Sequence, residues 1–207
     1  MGTHTISAPS RRQGWWGVAF VVVLLVEVVM VSLPTSDKSG DRIKAFYEAH
    51  RQIIIAQQII GALALVPFLA FVIALDRRAR AAGARWVQWL IPAGMLLAAC
   101  EVATNLPPLA LALLPNPSPD VAHTWTLVED LADAALFASI ALFSLAAAAQ
   151  EANWVRALGF AVAVLTLLRV VLCLLGITAL DIVAPIAFLA FVIVLSISIL
   201  IARPRRA

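Results

Sequence analysis

The stretch IIIAQQIIGALALVPFLAFVIAL, from Ile53 to Leu75, contains no charged residue and stops at Asp76-Arg77-Arg78. A helix rises 1.5 Å per residue, so about 20 apolar residues cross a hydrocarbon core ~30 Å thick. Working outward, comparable apolar blocks run from Trp15 to Pro34, Trp86 to Pro107, His123 to Ala149, Ala157 to Leu175 and Thr178 to Ile201. The composition agrees. Of 207 residues, 63% are hydrophobic and 13% charged, about half the charged share of an ordinary globular protein. These features exclude a secreted disulfide scaffold, a nucleic-acid binder and a soluble enzyme.

The sequence therefore predicts an all-α polytopic membrane bundle of six transmembrane helices. Residues 15–202 form its single domain, with a mobile N-terminus over 1–14 and a basic tail over 203–207. Leu109 to Leu114 follows the double proline Pro107-Pro108 and reads as an outer re-entrant or interfacial turn. Glu27 interrupts the first block and no small-residue cleavage site follows it, so the first span is expected to stay uncleaved despite Ser10-Arg11-Arg12.

Basic residues give the orientation. Arg11, Arg12, Arg77, Arg78, Arg80, Arg85, Arg156, Arg203, Arg205 and Arg206 all fall on one side of such a bundle. The other side carries Lys38, Arg42, Lys44 and Arg51, nearly balanced by Asp37, Asp41 and Glu48. The net charge of +3 is thus a topology signal, and both termini are expected in the cytoplasm. Every tryptophan except Trp125 falls at the inferred inner boundary, as an aromatic belt does. Cys100 and Cys173 lie inside spans, without metal spacing or a CxxC pattern, and read as reduced packing residues.

The informative residues are those that a bilayer disfavours. Glu27, Glu101, Glu129, Asp130, Asp133, Asp181 and Arg169 lie within or at the ends of spans. Ionisable groups at mid-bilayer cost at least ~2.5 to 3.5 kcal/mol each on insertion scales, so they default to functional candidates. Counting from the inner boundary puts Glu27, Asp133 and Arg169 near ~18 Å, and Glu101, Asp130 and Gln57-Gln58 near ~22 Å. Asp181 falls close to the outer surface, and Thr104 and Asn105 one turn outward of Glu101. Glu129 and Asp133 share a helix face at i,i+4. The spacing predicts an outer-half pocket with carboxylates on one wall and Arg169 facing them. One acid, Asp133 or Glu27, can pair with Arg169 and stay ionised; the others must be hydrated, cation-bound or protonated. Between spans one and two, Ile43, Phe46, Tyr47 and His50 recur at helical spacing, predicting a short amphipathic helix on the outer surface with Asp41 as N-cap. It would act as a lid, and with Trp125 it completes the candidate substrate-binding set.

No serine, cysteine or threonine nucleophile with an attendant histidine is evident, nor a Gly-rich phosphate loop. The three histidines lie outside the spans or at their edges, so no cofactor is expected from them. Glu129-Asp130-x-x-Asp133 looks like the Asp-rich Mg²⁺ motif of prenyl-diphosphate enzymes, but no lysine and arginine cluster accompanies it.

Phe46-Tyr47-x-x-His50-Arg51, the Leu75-Asp76-Arg77-Arg78 turn and the Asn153-Trp154-Val155-Arg156 turn carry a resemblance. On these residues the chain resembles a widespread group of uncharacterised six-span actinobacterial membrane proteins. That resemblance implies a bacterial plasma membrane and brings no activity with it. The layout is also similar to small membrane-integral terpene cyclases, whose essential residues are intramembrane acids. The likeness implies an isoprenoid-like, lipid-soluble substrate.

Three functions follow. The first is an embedded enzyme in which a neutral acid protonates an alkene or epoxide and aromatic faces stabilise the cation. Glu101 and Asp130 or Asp133 are the candidate donor and acceptor, tuned by Arg169, with Glu27 in the same layer. The second is a proton-coupled carrier, which needs a polar path through the almost wholly apolar inner half. The third is a lipid-binding or accessory protein that uses the acids for contact alone. Membrane lipids are the expected surroundings, and no signal in the chain sets an oligomeric state.

Overall fold

The computed structural model describes residues 11–175, 177 and 179–201; the basic tail, most of the N-terminal segment and Thr178 lie outside them. Every regular element among the described residues is helical. The helices are α1 (Trp15–Val28), α2 (Gly40–Ala81), α3 (Leu90–Leu113), α4 (Pro119–Ala148), α5 (Asn153–Leu174) and α6 (Val183–Ile201). Short 3₁₀ turns, Arg11–Gly14 and Val87–Trp89, lead into α1 and α3. Five of the helices are long and apolar enough to cross a membrane, as a multi-pass membrane protein requires. The exception is α1, whose 14 residues reach only about 21 Å. Each helix packs on its neighbour in chain order, α6 closes on α1, and α2 meets α4 across the bundle.

Three local expectations are corrected. The first span does not stay helical to Pro34: α1 ends at Val28, and residues 29–35 are irregular. The amphipathic segment from Asp41 to Gln52 is not a separate surface helix, because it continues into span two as one 42-residue helix. Such a helix is about 63 Å long, far more than a bilayer needs. Its Ile43 and Tyr47 are buried against α3 and α4, which rewards continuation over a break. Asp41 sits in the first turn, and the N-cap is Ser39, whose side chain makes no capping bond. Finally, α3 runs through Pro107-Pro108 to Leu113, so Leu109 to Leu114 is no re-entrant turn. Both prolines are buried; tertiary packing outweighs the two amide donors the helix lacks there.

The two ends of the bundle differ in chemistry. At the arginine-rich end, Gly14 lies against Ser196 and Leu200, so the start of α1 and the end of α6 are neighbours. Arg78 there meets Glu151 at 3.1 Å and donates to Ser198 Oγ, tying α2 to the α4–α5 turn and to α6. At the opposite end, Lys44 Nζ donates to Asn116 Oδ1 (2.7 Å) and Arg51 to the Leu114 carbonyl, holding the α3–α4 turn against the long helix. Asn116 takes φ 50 in that turn, a left-handed conformation that asparagine tolerates.

Two apolar clusters fill the interior. The larger extends from mid-bundle to the arginine-rich end, around the fully buried Phe68, Phe71, Phe143 and Phe191. The smaller joins Ile43, Tyr47 and Ile54 of α2 to Leu111, Ala112 and Ala122 near the opposite end. Cys100 and Cys173 are unpaired and partly buried within α3 and α5, as expected.

Candidate functional site

A cavity of about 320 Å³ lies in the layer where the intramembrane charges concentrate, and all six helices contribute to its wall. Its apolar part ends on a ring of four phenylalanines, one each from α1, α2, α4 and α6. Phe20 and Phe68 have centroids 5.0 Å apart, Phe68 and Phe143 5.5 Å, Phe143 and Phe188 6.3 Å, and Phe188 and Phe20 6.4 Å. Phe20 and Phe188 face the cavity, while Phe68 and Phe143 are wholly buried behind them. Most of these rings meet at steep angles, as aromatic quadrupoles favour.

The polar part carries Glu27, Gln58, Glu101, Asn105, Glu129, Asp133, Arg169 and Asp181, all expected from the sequence. Arg169 anchors it. The guanidinium donates from Nη2 to Asp133 Oδ2 at 2.6 Å, and its Nε lies 3.3 Å from Asp181 Oδ1. Its carbon centre stacks 3.7 Å from the centroid of Phe137. One cation therefore holds two carboxylates and one ring, joining α4, α5 and the segment before α6. Of the two acids considered as its partner, Asp133 takes that place and Glu27 does not.

Among the described residues three acids of the cavity have no basic partner: Glu27, Glu101 and Glu129. The Glu101 carboxylate has only the Asn105 amide, at 3.5 Å. Thr104 and Asn105 instead donate to the Glu101 carbonyl, at 2.8 and 2.9 Å, which holds this turn above the two prolines. Glu129 Oε2 is buried without a hydrogen-bond partner, and the equally unpartnered Tyr47 hydroxyl lies beside that carboxyl. Glu27 lies against Gly61: a Cβ there would come 2.8 Å from Glu27 Oε1.

Some expected site residues do other work. Gln57 Nε2 donates to the carbonyls of Glu27 (3.1 Å) and Val31 (2.9 Å). These carbonyls lie where α1 ends inside the bundle, and irregular backbone at such depth needs protein partners. Asp130 lies outside the cavity wall; its Oδ2 accepts from the Ser36 amide at 3.0 Å, while His123 Nε2 lies 3.0 Å from the Ser36 carbonyl. Phe46 stacks on the exposed His50, with centroids 4.4 Å apart, and with Trp125 flanks the smaller apolar cluster. Phe46, Tyr47, His50 and Trp125, expected as a lid and substrate-binding set, belong to α2 and α4 and do not line the cavity.

Glu129, Asp130 and Asp133 do not converge as the Mg²⁺ motif would require. Asp130 binds backbone and Asp133 binds Arg169. Among the described residues no three His, Cys, Asp or Glu side chains are grouped to hold a metal.

Sequence reasoning missed Gly61 and the phenylalanine ring. Gly61 follows Gln57 by four residues and so shares its helix face, which was the available signal. Nothing in the spacing of the phenylalanines marks four of them as one ring. Comparisons with family models, with curated proteins and with solved structures found no match to this chain, so its function is argued from this cavity.

Proposed function

We propose that this chain is a membrane-embedded enzyme that isomerises or cyclises an apolar, isoprenoid-like substrate by carboxylic-acid general acid–base chemistry. The supporting observation is the pairing pattern in the cavity. Asp133 and Asp181 share Arg169, whereas Glu27, Glu101 and Glu129 have no cation and face a chamber floored by phenylalanine. A carboxyl without a cation in apolar surroundings favours its neutral form and can act as a proton donor.

In this reading Glu101 transfers its proton to an alkene carbon. A C–H bond forms and a carbocation develops on the adjacent carbon. Phe20 and Phe188 lend cation–π stabilisation, and Asp133, paired with Arg169, lies on the same cavity wall. Loss of a proton from a neighbouring carbon back to the Glu101 carboxylate ends the sequence and regenerates the acid. Substrate and product are isomers, and no oxidant or cofactor is consumed. A proton-coupled carrier is less well supported, because the phenylalanine ring blocks the way from the polar layer to the arginine-rich end. That end faces the cytoplasm of a bacterial plasma membrane in the same reading, on the strength of its arginines.

The test is incubation of purified protein in nanodiscs with a panel of prenylated alcohols and quinols in D₂O. The expected product is an isomer of the substrate in which one hydrogen is replaced by a non-exchangeable deuterium. Glu101→Gln should lower the rate by a factor of about 100 or more, since general acid catalysis contributes roughly 10²–10⁴. Asp130→Asn should stay within about two-fold, as removing one backbone hydrogen bond costs only about 1 kcal/mol of stability. Undiminished turnover in Glu101→Gln, or bound substrate recovered unchanged from the wild type, would overturn the proposal.

A further inference from the structure

At the arginine-rich end, away from the acid cavity, a second and larger hollow of about 660 Å³ opens between α3, α4 and α5. All of its lining residues are apolar or aromatic, among them Trp86, Trp89, Leu96, Leu142, Ala146 and Phe160. Trp86, Trp89, Leu96, Leu142 and Phe160 are exposed, so this is a groove on the lipid-facing surface. Three of its residues, Trp86, Ala149 and Phe160, also border a polar hollow of about 540 Å³ that contains Arg85, Arg156 and Gln150. The two hollows form one amphipathic slot, apolar toward mid-bilayer and basic at the boundary.

The charges in the slot are free to meet an anion. Arg85 makes no ion pair or side-chain hydrogen bond among the described residues, and Arg156 donates only to the Glu151 carbonyl, at 3.1 Å. Glu151, whose carbonyl meets Arg156, turns its carboxylate to Arg78. The start of α5 beside Arg156 has no capping side chain, so the helix dipole adds positive potential there. Tryptophans sit where such rings prefer the headgroup level. A basic pocket next to an interhelical apolar groove is the chemistry that selects an anionic phospholipid over a zwitterionic one.

We infer that this slot is a binding site for an anionic phospholipid, its phosphate between Arg85 and Arg156 and one acyl chain along the α3–α4 groove. The inference rests on the membrane location alone and is independent of the acid cavity's chemistry.

Native mass spectrometry of the detergent-solubilised protein provides the test, with dioleoyl phosphatidylglycerol and dioleoyl phosphatidylcholine as competing probes. A basic side chain near the surface contributes about five-fold, so the wild type should prefer the phosphatidylglycerol by about ten-fold or more. Arg85→Gln/Arg156→Gln should bring that preference to within about two-fold while phosphatidylcholine binding persists. Ala146→Trp, which fills the groove, should weaken both lipids. Arg77→Gln, at the same end but outside the slot, should leave the preference intact. Excess inorganic phosphate should not displace the lipid, because the acyl chain supplies part of the affinity. The inference fails if the double variant keeps the wild-type preference, if Arg77→Gln lowers it equally, or if phosphate alone competes.

Discussion

The arginine-end half and the cavity half of this bundle are built from the same helices, yet they differ in how much of their polar bonding joins one element to another. Toward the arginine-rich end two buried serines turn back onto their own helix, and bonds between elements come from Arg78, to Glu151 and Ser198. Ser139 donates to Leu136 O and Ser196 to Val192 O. Asp76 likewise pairs with Arg80 one turn on. Around the cavity, polar groups reach between elements: Gln57 to the end of α1, Asp133 to Arg169, Asp130 to the Ser36 amide. Local bonds leave most of the helix contact within the span to apolar packing. Bonds between helices fix a register and aim side chains at one point. The acid cavity lies in the second kind of region.

That contrast can be broken most severely in the packed half. Phe143 is fully buried and belongs to the aromatic ring, so Phe143→Ala should cost about 3–5 kcal/mol of stability. Thermal unfolding in detergent measures this; a loss under 1 kcal/mol would mean that the ring is not a packing core. In the cavity half, Arg169→Met strands Asp133 and Asp181. Breaking a buried pair costs about 3–5 kcal/mol, and the partial exposure of both acids reduces this to about 2–4 kcal/mol. Adding Asp133→Leu should recover much of the loss, which a purely steric role for Arg169 would not permit.

Gly61→Ala probes the close approach of α1 to α2. Its Cβ would meet the Glu27 carboxyl, and such overpacking costs about 1–3 kcal/mol. The effect should shrink in a Glu27→Ala background; equal loss in both would remove Glu27 as the obstacle.

The smallest effect concerns Glu151, in the turn outside the membrane-spanning segments. Burial pushes its carboxyl above the usual carboxylate range, and Arg78 only partly opposes this. A raised acid binds its proton more tightly in the folded state. Its contribution is therefore fully present below the ordinary carboxylate pKa and declines as pH rises through the folded value. Glu151→Gln should flatten that part of the stability–pH profile, by about 1 kcal/mol or less. An unchanged profile would assign the slope to other groups.

Much of the fold was legible because the bilayer imposes a one-dimensional rule. Length, apolarity and flanking arginines marked α2 through α6, and the acids were grouped by depth from rise per residue alone. Features decided by neighbours were not legible. Pro107-Pro108 read as a stop because a proline lacks its amide, yet buried packing carries α3 past them. The Asp41–Gln52 segment read as a surface helix because its stripe is amphipathic. A second apolar cluster accepts that stripe, and the helix stays continuous.

The sequence by itself determined that this is an all-helical bundle with long apolar spans, and that costly charges share one layer of it. Depth along a helix is a sum over residues, so a single chain suffices to compute it. Only the tertiary structure decided which charges meet. Asp130 and Asp133 differ little in depth, but one secures a loop amide while the other binds Arg169 at the cavity wall. Each residue turns the helix by about 100°, and which face points inward is set by packing against the other helices.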